Sequence, residues 1–276
     1  MIRSELVKMV RRPRTWVSLA LLCGLPAIVA GFLGVTRVAP PAGQGPAFLS
    51  AVLTNGTLYP AAALAMVLPL FLPVSVAVVG GDAVAGEAGS GMLRYLLLRP
   101  VGRTRLLVAK LVALVGFVLL AVVAVTLSSY AVGVAVFGAK PASALTGASL
   151  VTSMSGTGLS TPQVLLRLAC ATLYVGVSML GVGAVALFLS TVTDSALSAA
   201  LGALAALVTS QILVSLDAAA AVHPYLPTRY WLAWTDFFRA PVLWHDITRG
   251  LALQGVYVAV FLAAAWANFA TRDVTS

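Results

Sequence analysis

Residues Leu106–Phe137 read LLVAKLVALVGFVLLAVVAVTLSSYAVGVAVF, an apolar run with one charged side chain, Lys110. A helix crossing the hydrocarbon core of a bilayer needs about 20 mainly apolar residues, because each rises about 1.5 Å through roughly 30 Å. This run exceeds that length, so it should tilt or project beyond the bilayer. Outward from it, five more stretches qualify: Trp16–Val35, Tyr59–Gly80, Leu165–Leu189, Ala196–Leu216 and Ile247–Phe269. Backbone groups in lipid must bond within their own segment, and the runs are continuous rather than alternating. Helices are therefore expected and a β-barrel is not. The expected fold is all-α and polytopic, one membrane domain over residues 1–276 with six transmembrane helices.

Composition excludes the soluble alternative. Hydrophobic residues make up 61% of the chain and charged residues 9%, with mean hydropathy +1.03. Soluble domains carry about a quarter charged residues, so this supply cannot cover a water-exposed surface. The net charge of +9 does not point to nucleic acid. The bases sit beside apolar runs, where anionic lipid headgroups account for them, and no basic face lies clear of membrane-length sequence. Cys23 and Cys170 lie singly inside apolar runs and read as small buried hydrophobes. With only His223 and His245 present, no protein-only metal centre is expected.

Orientation follows from Lys and Arg. Arg3, Lys8, Arg11, Arg12 and Arg14 precede the first span; Arg94, Arg99, Arg103, Arg105 and Lys110 lie around the segment between the second and third; Arg272 follows the sixth. These are eleven of the 17 basic residues, and the denser side is cytoplasmic. An even number of spans then leaves both termini inside. In Met1–Arg14, Ile2, Leu6, Met9 and Val10 fall at helical spacing with Arg3, Lys8 and Arg11 on other faces. That predicts an amphipathic helix in the cytoplasmic interface, ended near Pro13. The rival reading, a cleaved signal peptide, has too long a charged region and a poor cleavage site. Pro69 and Pro73 should kink the second span. Asp217–Asp246 is too polar to span but holds Tyr225, Tyr230, Trp231, Trp234, Phe237, Phe238 and Trp244, which predicts short helices dipping back into the outer interface. They act either as a belt of anchors or as a gate.

The stretch richest in chemistry is Gly81–Lys110, GDAVAGEAGSGMLRYLLLRPVGRTRLLVAK. Asp82 and Glu87 precede a predicted helix, Met92–Leu98, with Arg94 and Arg99 toward its end, an order that complements the helix dipole. Pro100 stops it, and Gly86, Gly89 and Gly91 are expected to let the chain turn as it leaves the membrane. A short two-signed helix presented to the cytoplasm suits docking to a partner protein; the plain alternative is a positive-inside loop without one.

The pattern GExxxGxLRxLLxRPVxRxxLLxAK, running from Gly86 to Lys110, resembles the loop between the second and third spans of ABC-2-type exporter permeases. ELxKxxRRPRT at Glu5–Thr15 and HPYLPTRYWLAWTDFFRAPVLW at His223–Trp244 look like the same family, as does the turn Thr191–Ser195. The resemblance implies that the loop after span two is a coupling helix seated on a separate ATPase, with Gly86, Glu87, Gly91, Arg94, Arg99, Pro100 and Arg103 at that contact. For Glu87 and Arg94 the alternative is an internal salt bridge that holds the loop. It also implies an interfacial helix bearing Arg3, Glu5, Lys8, Arg11 and Arg12, and re-entrant helices between spans five and six that close the outer face.

No GxxxxGK[ST] sequence is present, and the cytoplasmic segments are too short for a nucleotide-binding domain. No cofactor is expected in this chain; ATP and Mg²⁺ would bind partner ATPases, two copies, with a second permease copy as homodimer or heterodimer. The expected function is the permease subunit of an exporter in the bacterial inner membrane, without catalysis of its own. The near absence of charge in the spans and the hydroxyls of Thr126, Ser128, Ser129, Tyr130, Ser178, Ser210 and Gln211 suit an amphipathic cargo, with Ser128, Ser129, Tyr130 and Gln211 as its path. The same groups could equally join helices. An ATPase-free secondary transporter would need acids or histidines at mid-membrane depth. A membrane enzyme acting on lipid would draw on Asp217, His223, Asp236, His245 and Asp246, whose spacing fits no ligand pattern.

Overall fold

A computed structural model describes residues 2–38, 48–49, 52–53, 55–89, 102–138, 151–152 and 158–271. Eight α-helices follow in order: α1 (Ile2–Arg11), α2 (Pro13–Thr36), α3 (Tyr59–Val67), α4 (Phe71–Gly89), α5 (Arg103–Phe137), α6 (Thr161–Val192), α7 (Ala196–Ser215) and α8 (Trp244–Thr271). Six of them, α2 and α4 to α8, are long and apolar enough to cross a membrane. Strand structure among the described residues is one two-residue antiparallel pair, β1 (Val151–Thr152) with β2 (Gly158–Leu159). The fold is all-α and polytopic, as the composition requires.

The run expected as one span at Tyr59–Gly80 is two helices, and proline places the break. Pro60 opens α3 and Pro73 sits in the first turn of α4, where a missing N–H costs nothing because first-turn donors have no intrahelical acceptor. Pro69 falls in the turn Leu68–Leu70 between them. The crossing helix is consequently α4, shifted toward the chain's charged segment and ending at Gly89. With 35 residues, α5 is about 50 Å long and overruns the hydrocarbon core, as expected from its sequence.

Helix α6 is the central element and packs on α4, α5, α7 and α8. Small residues allow the closest approaches. A Cβ on Gly80 would lie 2.9 Å from the Ala186 Cβ of α6, and one on Gly81 would lie 2.8 Å from the Ala200 backbone nitrogen of α7. Two consecutive glycines thus let α4 press against two helices at once, the packing expected where lipid offers no hydrophobic drive between helices. The Ser190 hydroxyl of α6 adds to this seam, accepting from the backbone N–H groups of Val84 and Ala85 at 2.9 and 2.8 Å.

The segment between α7 and α8 folds as short 3-10 turns, Asp217–Ala219, His223–Tyr225 and Trp231–Phe238. Side chains of two crossing helices, α6 and α8, hold its backbone. Gln254 donates to the Pro227 carbonyl at 2.7 Å, Tyr174 to the Tyr230 carbonyl at 2.7 Å, Tyr257 to the Tyr225 carbonyl at 3.0 Å, and Arg167 to the Arg239 carbonyl at 2.9 Å. The Ser210 and Thr228 hydroxyls meet at 2.7 Å. Gln254 lies ten residues into α8, so the segment reaches about 15 Å along that helix from its start. Trp231, Trp234, Phe237 and Phe238 are buried, and Phe48 packs on the rings of Trp234 and Phe238. These four rings are therefore turned into the protein, while Tyr225 and Trp244 stay exposed.

Candidate functional site

Seven charged residues, Glu5, Lys8, Arg12, Arg14, Asp82, Glu87 and Lys110, converge at the end of the bundle that carries α1. Local sequence sets the joint between α1 and α2. Pro13 starts α2 at its first position, and Arg12 is an extended residue between the helices. The last carbonyls of α1 lack helical donors; Thr15 Oγ1 donates to the Met9 carbonyl at 2.6 Å and Trp16 Nε1 to the Val10 carbonyl at 2.8 Å. The segment RRPRTW thus closes α1 and opens α2 in one turn, and α1 lies across α5 with Leu6 against Gly116.

The face that α1 turns to the bundle carries Leu6 and Met9 and, beside them, a set of charges. Lys8 Nζ lies 2.8 Å from Glu5 Oε1 and 3.3 Å from Glu87 Oε1; Lys110 Nζ lies 2.5 Å from Glu87 Oε2 and 3.7 Å from Glu5 Oε2. The four groups form a closed ring of alternating charge in which every carboxylate oxygen faces one ammonium. Glu87, Lys110 and Glu5 are 2, 3 and 8% exposed. Such burial is tolerable only because each charge has its counter-charge in contact. Burial alone would raise the Glu5 carboxyl, but the Lys8 hydrogen bond and the charges of Lys110, Lys8 and Arg12 outweigh it and hold it below its ordinary value. Burial would likewise lower Lys8, yet the hydrogen bond to Glu5 and the Glu87 charge carry it above its ordinary value.

Beside the ring, Asp82 receives two guanidinium groups, Arg14 at 2.6 Å and Arg12. A Cβ on Gly86 would lie 2.3 Å from Asp82 Oδ1. Gly86 therefore sits within α4 and leaves room for this carboxylate one turn earlier; it does not turn the chain, as its sequence context suggested. Gly89 is helical too, passing close to the Asp194 carbonyl. Between α1, α4 and α5 the charged side chains border a cavity of about 60 Å³.

Other predicted positions separate. Arg103 opens α5 and donates to the Ala270 carbonyl at 2.9 Å, satisfying a carbonyl at the C-terminal end of α8. Gly91, Arg94, Arg99, Pro100 and the helix expected at Met92–Leu98 lie outside the described residues, as does Arg272. Arg3 and Arg11 are exposed on α1, while Glu5, Lys8 and Arg12 face the bundle charges. Glu87, expected at an outward contact, has its carboxylate inside the ring, the internal pairing that its sequence reading kept as the alternative. Ser129 is buried and Gln211 faces outward from α7, so these two do not share one lining within the chain. Thr126 meets Thr172 of α6 at 3.2 Å, and Ser128 donates back to the Val125 carbonyl. His223 bonds the Leu213 and Leu216 carbonyls and Asp236 pairs with Arg239. No group of three His, Cys, Asp or Glu among the described residues is placed to hold a metal.

What sequence reasoning missed was the pairing. Lys110 was read as a topology signal, although a lone cation inside an apolar run already calls for a buried carboxylate. Gln254, one polar side chain within a span, carried the same kind of signal for the segment between α7 and α8.

Six helices long and apolar enough to cross a bilayer define a polytopic membrane protein. The chain belongs to the ABC-2 family of transporter proteins: a family described as "ABC-2 family transporter protein" matches residues 1–193, which hold α1 to α6 and every member of the charge cluster. It is thus an ABC-transporter permease. Comparison with curated proteins gives no match.

Proposed function

We propose that this chain is the membrane half of an ATP-driven exporter in a bacterial inner membrane, driven by separate ABC ATPase subunits that bind ATP and Mg²⁺. Both termini are cytoplasmic on this reading, and the permease works as a pair, with itself or with a sibling. The observation that carries the proposal is the charge ring. Glu87 stands just before residues 90–101 and Lys110 in the second turn of the helix that follows them, and both are clamped to α1. A partner pressing on that segment, through Arg94 and Arg99, would move α1, α4 and α5 together rather than bending a loose loop. The cargo is amphipathic: the spans carry hydroxyls and amides, and the charges Asp82, Glu87 and Lys110 that α4 and α5 hold are paired at one end.

The test is purification of the tagged chain from its host membrane. A P-loop ATPase at stoichiometric ratio supports the proposal, and the chain alone from a preparation that keeps other ABC complexes intact refutes it. Charge reversal of Arg94 and Arg99 should then leave the complex inserted but uncouple ATP hydrolysis from transport. Wild-type coupling in that variant would remove residues 90–101 from the docking role.

A further inference from the structure

Arg12 and Arg14 bracket Pro13, and both reach the single carboxylate of Asp82. The Asp82 side chain is 11% exposed, whereas the two arginines keep 41 and 63% of their side-chain surface. Each engages Asp82 through one nitrogen, which leaves the rest of each N–H fork open. Two cations over one anion leave a positive charge in excess, on the accessible side. The ring of Glu5, Lys8, Glu87 and Lys110 is neutral and cannot absorb it. The 24-residue helix α2 begins at the same point with no acidic residue in its first turn, so its dipole adds to the positive potential.

The surroundings are apolar. Val79 and Leu114 help to wall the cavity beneath the arginines. Trp16 and Val17 stand beside the bend, each 58% exposed, and Val10 of α1 is 44% exposed. The Trp16 indole is fixed on the Val10 carbonyl, which holds an aromatic plate next to the unbalanced charge. Farther along α2, Leu21 and Ile28 also face outward.

The geometry points to a binding site for the headgroup of an anionic phospholipid at Arg12 and Arg14, with its acyl chains along Trp16, Val17 and the outward face of α2. Guanidinium forks take phosphate oxygens through paired N–H bonds, and a Trp at the headgroup level covers the start of the chains. A soluble phosphate would satisfy the arginines but leave the apolar flank bare. Bound there, the lipid would bridge the α1–α2 bend and complete the charge balance that Asp82 begins.

The experiment is native mass spectrometry of the detergent-purified full chain titrated with phosphatidylglycerol or phosphatidylcholine. The wild type should retain phosphatidylglycerol about tenfold more tightly, and Arg12→Gln/Arg14→Gln should abolish the preference. Arg14→Gln alone, which leaves Arg12 on Asp82, should lower it about threefold, so the test stands if the double variant fails to fold. Arg3→Gln/Arg11→Gln removes the same charge from the exposed side of α1 and should keep the preference. Equal retention of the two lipids overturns the proposal, as does an equal loss in the Arg3/Arg11 variant, which would mean diffuse surface charge. Displacement of phosphatidylglycerol by millimolar glycerol 3-phosphate, binding with equal affinity, would also overturn it, since the site would then serve a free phosphate.

Discussion

Lys110 donates to Glu87 at 2.5 Å across the space between the end of α4 and the second turn of α5, and each side chain is 3% exposed. The contact joins residues on either side of segment 90–101 and so ties α4 to α5. Lys8 and Glu5 complete the ring from α1, which makes the N-terminal helix part of the same unit.

Removing one charge of the pair should cost far more than removing both. Glu87→Gln takes away the counter-charge in contact with the buried Lys110 ammonium and leaves it the Glu5 carboxylate at 3.7 Å, and breaking such pairs costs about 3–5 kcal/mol. Glu87→Gln/Lys110→Met should regain most of it. Thermal unfolding of the detergent-solubilised variants, followed by size-exclusion of the surviving fraction, measures the difference. Additive losses would mean that the two residues act independently.

Gly86→Ala should destabilise the protein by about 1–3 kcal/mol, because the new methyl group displaces the Asp82 carboxylate from Arg12 and Arg14. In an Asp82→Ala background the sign should reverse: the clash is gone, and alanine favours a helix over glycine by about 1 kcal/mol. A double-mutant cycle on unfolding temperature reads this directly. The same loss in both backgrounds would place the effect elsewhere.

The segment between α7 and α8 should loosen when its anchors are cut. Gln254→Leu removes the bond to the Pro227 carbonyl and Tyr174→Phe the bond to the Tyr230 carbonyl, each worth about 1 kcal/mol. Hydrogen exchange over residues 225–238 should rise in each variant and rise further in the double variant, while α4 and α6 keep their protection. Unchanged exchange would show that aromatic burial alone holds the segment.

Docking of α1 should be flat with pH over a wide middle range. The Glu5 carboxyl is held below 4.5, so its contribution is complete above that value and is lost as pH falls through the lowered pKa. Lys8 is raised above 10.5, so its contribution is complete below that value and is lost as pH climbs through the raised pKa. A fluorophore on α1 should therefore report release only below about 4.5 or above about 10.5. Release near neutrality would point to another titrating group.

The fold class could be read from the chain, since a membrane helix is announced by length and hydrophobicity alone. The runs behind α2, α5, α6, α7 and α8 coincide with helices within a few residues, and Pro13 marks the end of α1 as expected. The second span was misplaced because hydropathy cannot see that Pro69 breaks the run while Asp82 and Glu87 are carried inside the helix that follows. An acid reads as loop until its counter-charge is known, and those partners, Arg12, Arg14, Lys8 and Lys110, come from positions far away in sequence.

Sequence by itself determined that this protein lives in a bilayer, how many helices cross it, and its family. These follow from local properties, the transfer free energy of about 20 consecutive residues and the motif around segment 86–110. Only the tertiary structure decided what the charges do. Whether Glu87 points out to a partner or in to Lys110 depends on where α1 and α5 lie relative to α4, and contacts such as Leu6 of α1 on Gly116 of α5 help to set that placement. Coulomb attraction in a low-dielectric interior is decided over a few ångströms, a distance that spacing along the chain does not encode.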